Sequence, residues 1–176
     1  LGDALVVEAA SLGWDERAGV QADVVAFEHG LTGGNGLEGA VERYGGDLLE
    51  TIESEWLGEP RAALRDRYVG ALDALAERAQ ARRDWRACAA YARRILAADP
   101  WREDALRWLM VARYGCGDRA GALAELAAFS RRVRVELNIE PMAETLALGR
   151  LLSRRAPERT VEPAAFGSLG VYALAN

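Results

Sequence analysis

Ala71-Leu72-Asp73-Ala74-Leu75 and Ala105-Leu106-Arg107-Trp108-Leu109 lie 34 residues apart. Each leads into a turn, Arg83-Asp84 in the first case and Gly117-Asp118 in the second. The same shift places Leu72 on Leu106, Leu75 on Leu109, Ala92 on Leu126 and Ile95 on Phe129. Apolar positions three and four apart mark one face of a helix. A recurrence of that face at a fixed period marks stacked helical hairpins, in which no unit can bury its apolar face alone. Residues 69–136 therefore predict an array of helix-turn-helix units.

Working outward, Pro60 suits the first turn of a long helix reaching about Arg82, with Leu64, Tyr68, Leu72, Leu75 and Ala79 on one stripe. Asp84 is the expected cap of a helix to Ala98, and Asp99-Pro100 the expected opening of one through Tyr114. After Gly117-Asp118 a helix is expected to continue to about Leu137 and to end at Asn138, a residue that tolerates the left-handed conformation. Pro141 opens a last expected helix, ending near Arg155. Upstream, Asp23 suits the cap of a short helix with Val24, Phe27 and Leu31 on one face. Gly30, Gly33, Gly34, Asn35 and Gly36 are expected to break it, and Leu37–Tyr44 forms another. Residues 4–9 and 18–22 read as two short strands joined by a reversal over 12–17. The expected fold is all-α, a tetratricopeptide-like stack of antiparallel helical hairpins, preceded by a small N-terminal β-hairpin. Residues 156–176 read as an irregular tail, since Pro157 and Pro163 argue against helix.

Composition bounds the function. With 51% hydrophobic residues in 176 there is material for a core. No apolar run approaches the roughly 18 residues of a membrane span. Leu1-Gly2-Asp3-Ala4 has neither an initiator Met nor a basic signal-peptide segment, as expected of a piece of a longer protein. Residues 1–60 hold 13 Asp/Glu against Arg17 and Arg43, a net of −11. Residues 61–176 hold 14 against 20 Arg, a net of +6. Either the acidic part docks on the basic array, or the basic side faces an acidic or phosphate-bearing partner. All basic residues are Arg, which removes Schiff-base chemistry and a phosphate-loop lysine.

Catalytic and metal constellations are missing from the pattern. Cys88 and Cys116 form no CxxC pair; Cys88 reads as a packing residue of a reduced cytoplasmic protein and Cys116 as a turn residue. His29 is the only histidine and reads as structural. Glu103/Asp104 and Glu53/Glu55 read as helix N-terminal charge and solvation. The doublets Arg82-Arg83, Arg93-Arg94 and Arg154-Arg155, with Arg131, Arg132 and Arg134, would suit phosphates, but without interleaved aromatics they read first as solvated helix faces. Trp56, Trp85 and Trp108 are expected to pack between helices, and Trp101 to reach the surface. No enzyme activity and no cofactor are expected.

The repeat itself points to a binding site. In tetratricopeptide units the first helix of each pair lines the concave face. The aligned positions are Asp73, Glu77 and Gln80 in the first unit and Arg107, Val111 and Tyr114 in the second. Such a groove holds a peptide or a helix, unless the chain's own terminal segments fill it.

A family resemblance runs over residues 20–153. It rests on Tyr44-Gly45-Gly46-Asp47-Leu48-Leu49, Trp56, Glu59-Pro60-Arg61, Asp99 to Ala105 with Leu109-Met110, Gly117-Asp118-Arg119-Ala120 with Ala122-Leu123, and Glu136 to Pro141. In that order they resemble the bacterial transcriptional activator domain, found in regulators of Streptomyces antibiotic clusters and their relatives; Asn138 stands where that family usually has Gly. The resemblance implies an upstream winged helix-turn-helix that reads DNA. Residues 1–22 would be its last hairpin, residues 23–155 the activator domain and residues 156–176 a tail. It also implies a protein partner: RNA polymerase, another domain of the parent regulator, or a second copy. The alternative is a peptide-binding scaffold with no role in transcription.

Overall fold

The computed structural model describes the backbone of residues 5–8 and 11–14, and residues 23–32 and 36–154 in full. Strands β1 (Leu5–Glu8) and β2 (Ser11–Trp14) pair antiparallel, with Leu5 opposite Trp14 and Glu8 opposite Ser11. This is not the expected hairpin. Its second strand takes up Ser11–Trp14, most of which falls in the expected reversal over 12–17, and residues 18–22 lie outside those described. The expected tail, 156–176, lies outside them too.

The helices are α1 (Asp23–Thr32), α2 (Leu37–Arg43), α3 (Gly58–Ala81), α4 (Trp85–Ala98), α5 (Glu103–Gly115), α6 (Arg119–Leu137) and α7 (Ala143–Ser153), with a single 3₁₀ turn at Glu55–Leu57. The chain divides into two compact units, residues 1–64 and 65–176, the division falling within α3.

In the first unit, α1 and α2 pack on each other through Phe27, Ala40 and Val41, all buried. Gly30 does not break α1 as expected. It sits inside the helix, where a Cβ would come within 2.8 Å of the Ala40 Cβ, so glycine here permits close helix approach. The segment after α2 has no regular structure of its own and is pinned by one side chain. Arg61 of α3 donates from Nε to the Leu48 carbonyl (2.7 Å) and from Nη2 to those of Leu49 (2.5 Å) and Ile52 (2.7 Å). The Leu49 carbonyl also accepts from Ile52 N–H (2.8 Å), and one planar guanidinium reaches all three carbonyls at once.

In the second unit, α4 packs on α5, α5 on α6, and α7 on both α5 and α6. This is a tetratricopeptide-like helical stack. Leu106, Met110, Val111, Ala122, Phe129, Val133, Leu148 and Leu152 form its core cluster, flanked by Trp85, Tyr114, Leu123 and Leu126. The two repeat turns superpose bond for bond. Asp84 N–H donates to Ala79 O (2.8 Å) and Asp118 N–H to Arg113 O (2.9 Å); Arg83 N–H donates to Gln80 O and Gly117 N–H to Tyr114 O, both 2.9 Å. Each aspartate then caps the next helix, Asp84 accepting from Ala87 N–H (3.1 Å) and Asp118 from Gly121 N–H (2.8 Å).

Two helix starts differ from expectation. α5 begins at Glu103, not at Asp99-Pro100, because the Asp99 carboxylate accepts from Trp101 N–H (3.0 Å) and holds a separate turn. α7 begins at Ala143, not at Pro141, and Met142 N–H is received by the Glu103 carboxylate (2.9 Å to each oxygen). Asn138 ends α6 in the left-handed region at φ 54°, as expected.

Candidate functional site

The residues expected to line a concave face sit on α3 and α5, the first helices of successive hairpins. Asp73 is half-buried and takes part in a three-residue ion cluster. Arg102 donates from Nε and Nη2 to Asp104 (2.9 and 2.5 Å) and from Nη2 to both Asp73 oxygens (3.1 Å each). Arg102 thus belongs mainly to Asp104 and ties the start of α5 to α3 through the shared nitrogen. Burial pushes the Asp73 carboxyl above its usual range, against the pull of Arg102. Burial acts on Asp104 in the same sense, but the Arg102 hydrogen bond and the Ala105 N–H together outweigh it and hold that carboxyl below its usual range. Arg102 is raised, chiefly by its bond to Asp104, and stays charged.

Farther along, Glu77 is exposed and Gln80 half-buried, its Oε1 buried without a hydrogen-bond partner. On α5, Arg107 donates from Nη1 to Thr145 Oγ1 of α7 (3.0 Å), while its Nε is buried and unpartnered. Thr145 is fully buried, so this bond keeps its hydroxyl from being stranded. Val111 belongs to the core cluster, and Tyr114 lies half-buried against it. The structure brings Asp73 to Arg102, Arg107 to Thr145, and Val111 and Tyr114 to one cluster.

The sequence reading did not foresee Arg102 or Thr145 as linking residues. It also missed an open cleft of about 480 Å³ beside Asp73, lined by Val69 and Gly70 of α3 and by Pro100, Trp101 and Arg102. The one available signal was Trp101 after Pro100, expected at the surface and 37% exposed. Its ring lies 5.6 Å from the Arg132 guanidinium carbon, and Arg132 also donates to Pro100 O (2.6 Å). Trp108 is buried and Trp85 flanks the core, but Trp56 is 65% exposed, against the expectation that it packs. As a residue of the 3₁₀ turn just before α3, it stands off the helical stripes that carry the core.

Among the described residues no group of three or more His, Cys, Asp or Glu is placed to hold a metal ion. No helix among them is long and apolar enough to cross a membrane. Cys88 is buried, its thiol pushed up to about 12 by burial and then by Asp84, and Cys116 is exposed. His29 is exposed.

The geometry is therefore that of a helical stack whose polar residues tie helices together. Residues 32–152 match the family model of the bacterial transcriptional activator domain. The chain belongs to that family. No curated protein matches it. Within this activator domain Arg61 ties the start of α3 back to Leu48, Leu49 and Ile52, so the length of chain between them is set by these bonds. Tyr44 itself is anchored, its hydroxyl donating to Asp47 Oδ1 (3.2 Å) and its ring 5.5 Å from that of Phe27. A stack of this kind offers an extended face for protein–protein contact.

Proposed function

We propose that this chain is the regulatory interaction module of a bacterial transcriptional activator of the Streptomyces antibiotic-regulator type. It acts in the cytoplasm by binding and without catalysis. The family match over residues 32–152 carries this reading. In it, DNA recognition belongs to a winged helix upstream, of which residues 1–22 are the last hairpin. The partner is RNA polymerase, another domain of the parent regulator or a second copy.

The partner face is the one lined by Asp73, Glu77, Gln80, Arg107 and Tyr114, with Val111 beneath it. Glu77 is exposed there and Gln80, Arg107 and Tyr114 are half-buried, which leaves polar side chains within reach of a bound segment and supports this placement.

The test is artificial recruitment. The chain is fused to an unrelated DNA-binding domain whose operator lies upstream of a weak bacterial promoter, and transcription is read. Activation that falls when Glu77 and Gln80 are replaced by Ala is expected. A folded fusion that leaves transcription at its basal level would favour the plain scaffold reading.

A further inference from the structure

The two repeat turns share a backbone but not a surface. At the α5–α6 turn the arginines are engaged. Arg113 pairs with Asp118 (2.6 Å) and Glu125 (2.7 Å), and Arg119 donates to the Ser153 carbonyl. At the α3–α4 turn stand Arg78, Arg82, Arg83 and Arg86, all exposed, and no ion pair among the described residues engages any of them. Shifted by one repeat, these four positions are Ala112, Cys116, Gly117 and Ala120. The hairpin geometry forms without a charge at any of the four.

Two of the four also work against the fold. Arg83 is left-handed, at φ 58°, where the sister turn has Gly117 at φ 82°. A side chain there is disfavoured relative to glycine. Arg86 lies in the first turn of α4, which holds no acidic residue, so its cation faces the positive end of the helix dipole. The dipole accounts for Arg78 and Arg82 at the end of α3, but not for these two. Residues that cost stability and engage nothing among the described residues point to a partner for them elsewhere.

We propose that this turn is a phosphate-contact surface for the backbone of duplex nucleic acid. An acidic protein surface is the competing occupant. Protein interfaces draw their energy from buried aromatic or apolar anchors, and between Arg78 and Arg86 the larger apolar residues are withdrawn: Ala79 is buried and Trp85 half-buried against the core. Exposed guanidiniums without an apolar anchor suit phosphates, which take forked hydrogen bonds and release counterions on neutralisation. The contact is independent of base sequence. It would add to, and does not rest on, any reader in the parent regulator.

The experiment measures binding of the chain to fluorescent random-sequence duplex from about 50 to 200 mM salt, the range over which counterion release is readily seen. The variant Arg78→Ala, Arg82→Ala, Arg83→Gly, Arg86→Ala carries at each site a residue the sister turn accommodates or a smaller one, so its melting should match that of the parent chain. Four phosphate contacts predict roughly a hundredfold loss of affinity across that salt range. The variant should flatten the log–log salt slope by about 3–4. Absence of duplex binding by the chain would overturn the proposal. So would an unchanged slope in the folded variant, or equal binding of polyglutamate, which would assign the turn to an acidic protein. Arg83→Gly alone guards against misfolding, and should lower the slope by about 1 without lowering the melting temperature.

Discussion

Gly115, the last residue of α5, faces the indole of Trp85, the first residue of α4, with no room for a methyl group. A Cβ there would lie 2.6–2.7 Å from three ring carbons. Trp85 is held by the core cluster it flanks, so the ring has little freedom to withdraw. Gly115→Ala sets two effects against each other. Alanine gains up to about 1 kcal/mol in helix propensity, and overpacking costs about 1–3 kcal/mol. Overpacking should win, and denaturant unfolding should show net destabilisation near 1 kcal/mol. A rise in the midpoint would mean that Trp85 is free to move.

Leu109 is 2% exposed and lies on the repeat position shared with Leu75. Leu109→Ala removes a buried isobutyl group and leaves a cavity among close-packed helices. The expected loss is about 2–5 kcal/mol. The same substitution at Leu137, 45% exposed at the end of α6, should cost far less. Equal effects at the two sites in urea titrations would contradict the placement of the core.

The parts of this fold legible in the sequence are those set by local chemistry. Apolar spacing and a capping aspartate act within one or two turns of chain, so Asp84, Asp118 and the bounds of α4 and α6 follow from reading alone. Asn138 is legible for the same reason. Pro100 and Pro141 mislead, because proline fits both a first helical turn and the turn before it, and neighbouring hydrogen bonds decide between them. The Asp99 carboxylate takes the Trp101 N–H in one case, and Glu103, from another helix, takes the Met142 N–H in the other. The candidate groove is legible only as helix faces. That Arg102 shares one nitrogen with Asp73, or that Thr145 is buried under Arg107, depends on tertiary approach, for which one sequence carries no signal.

The two thiols should differ sharply in reactivity. Cys88 is buried, and its thiol is pushed up to about 12, so at neutral pH it holds almost no thiolate, the reactive form. Cys116 is exposed. Native protein treated with iodoacetamide should take one label, at Cys116, and a second only in denaturant. Rapid native labelling of Cys88 would show that α4 opens readily from the stack.

Acid should weaken the α5–α6 turn through Asp118. The Gly121 N–H and then Arg113 hold its carboxyl below the usual carboxylate range. A carboxyl depressed in the folded state binds protons more readily when unfolded. Its contribution is therefore complete above the ordinary value of 3.8 and is lost as pH falls through the lower folded-state value. Asp118→Asn keeps an oxygen for the Gly121 N–H but cannot titrate. Melting temperatures of the two proteins should differ most at neutral pH and converge as pH falls well below 3.8, once the depressed carboxyl protonates. The Asp118 side chain is exposed, so added salt should shrink the neutral-pH difference as well. A gap that stays constant across both series would mean that Asp118 acts through its shape as a cap and not through its charge.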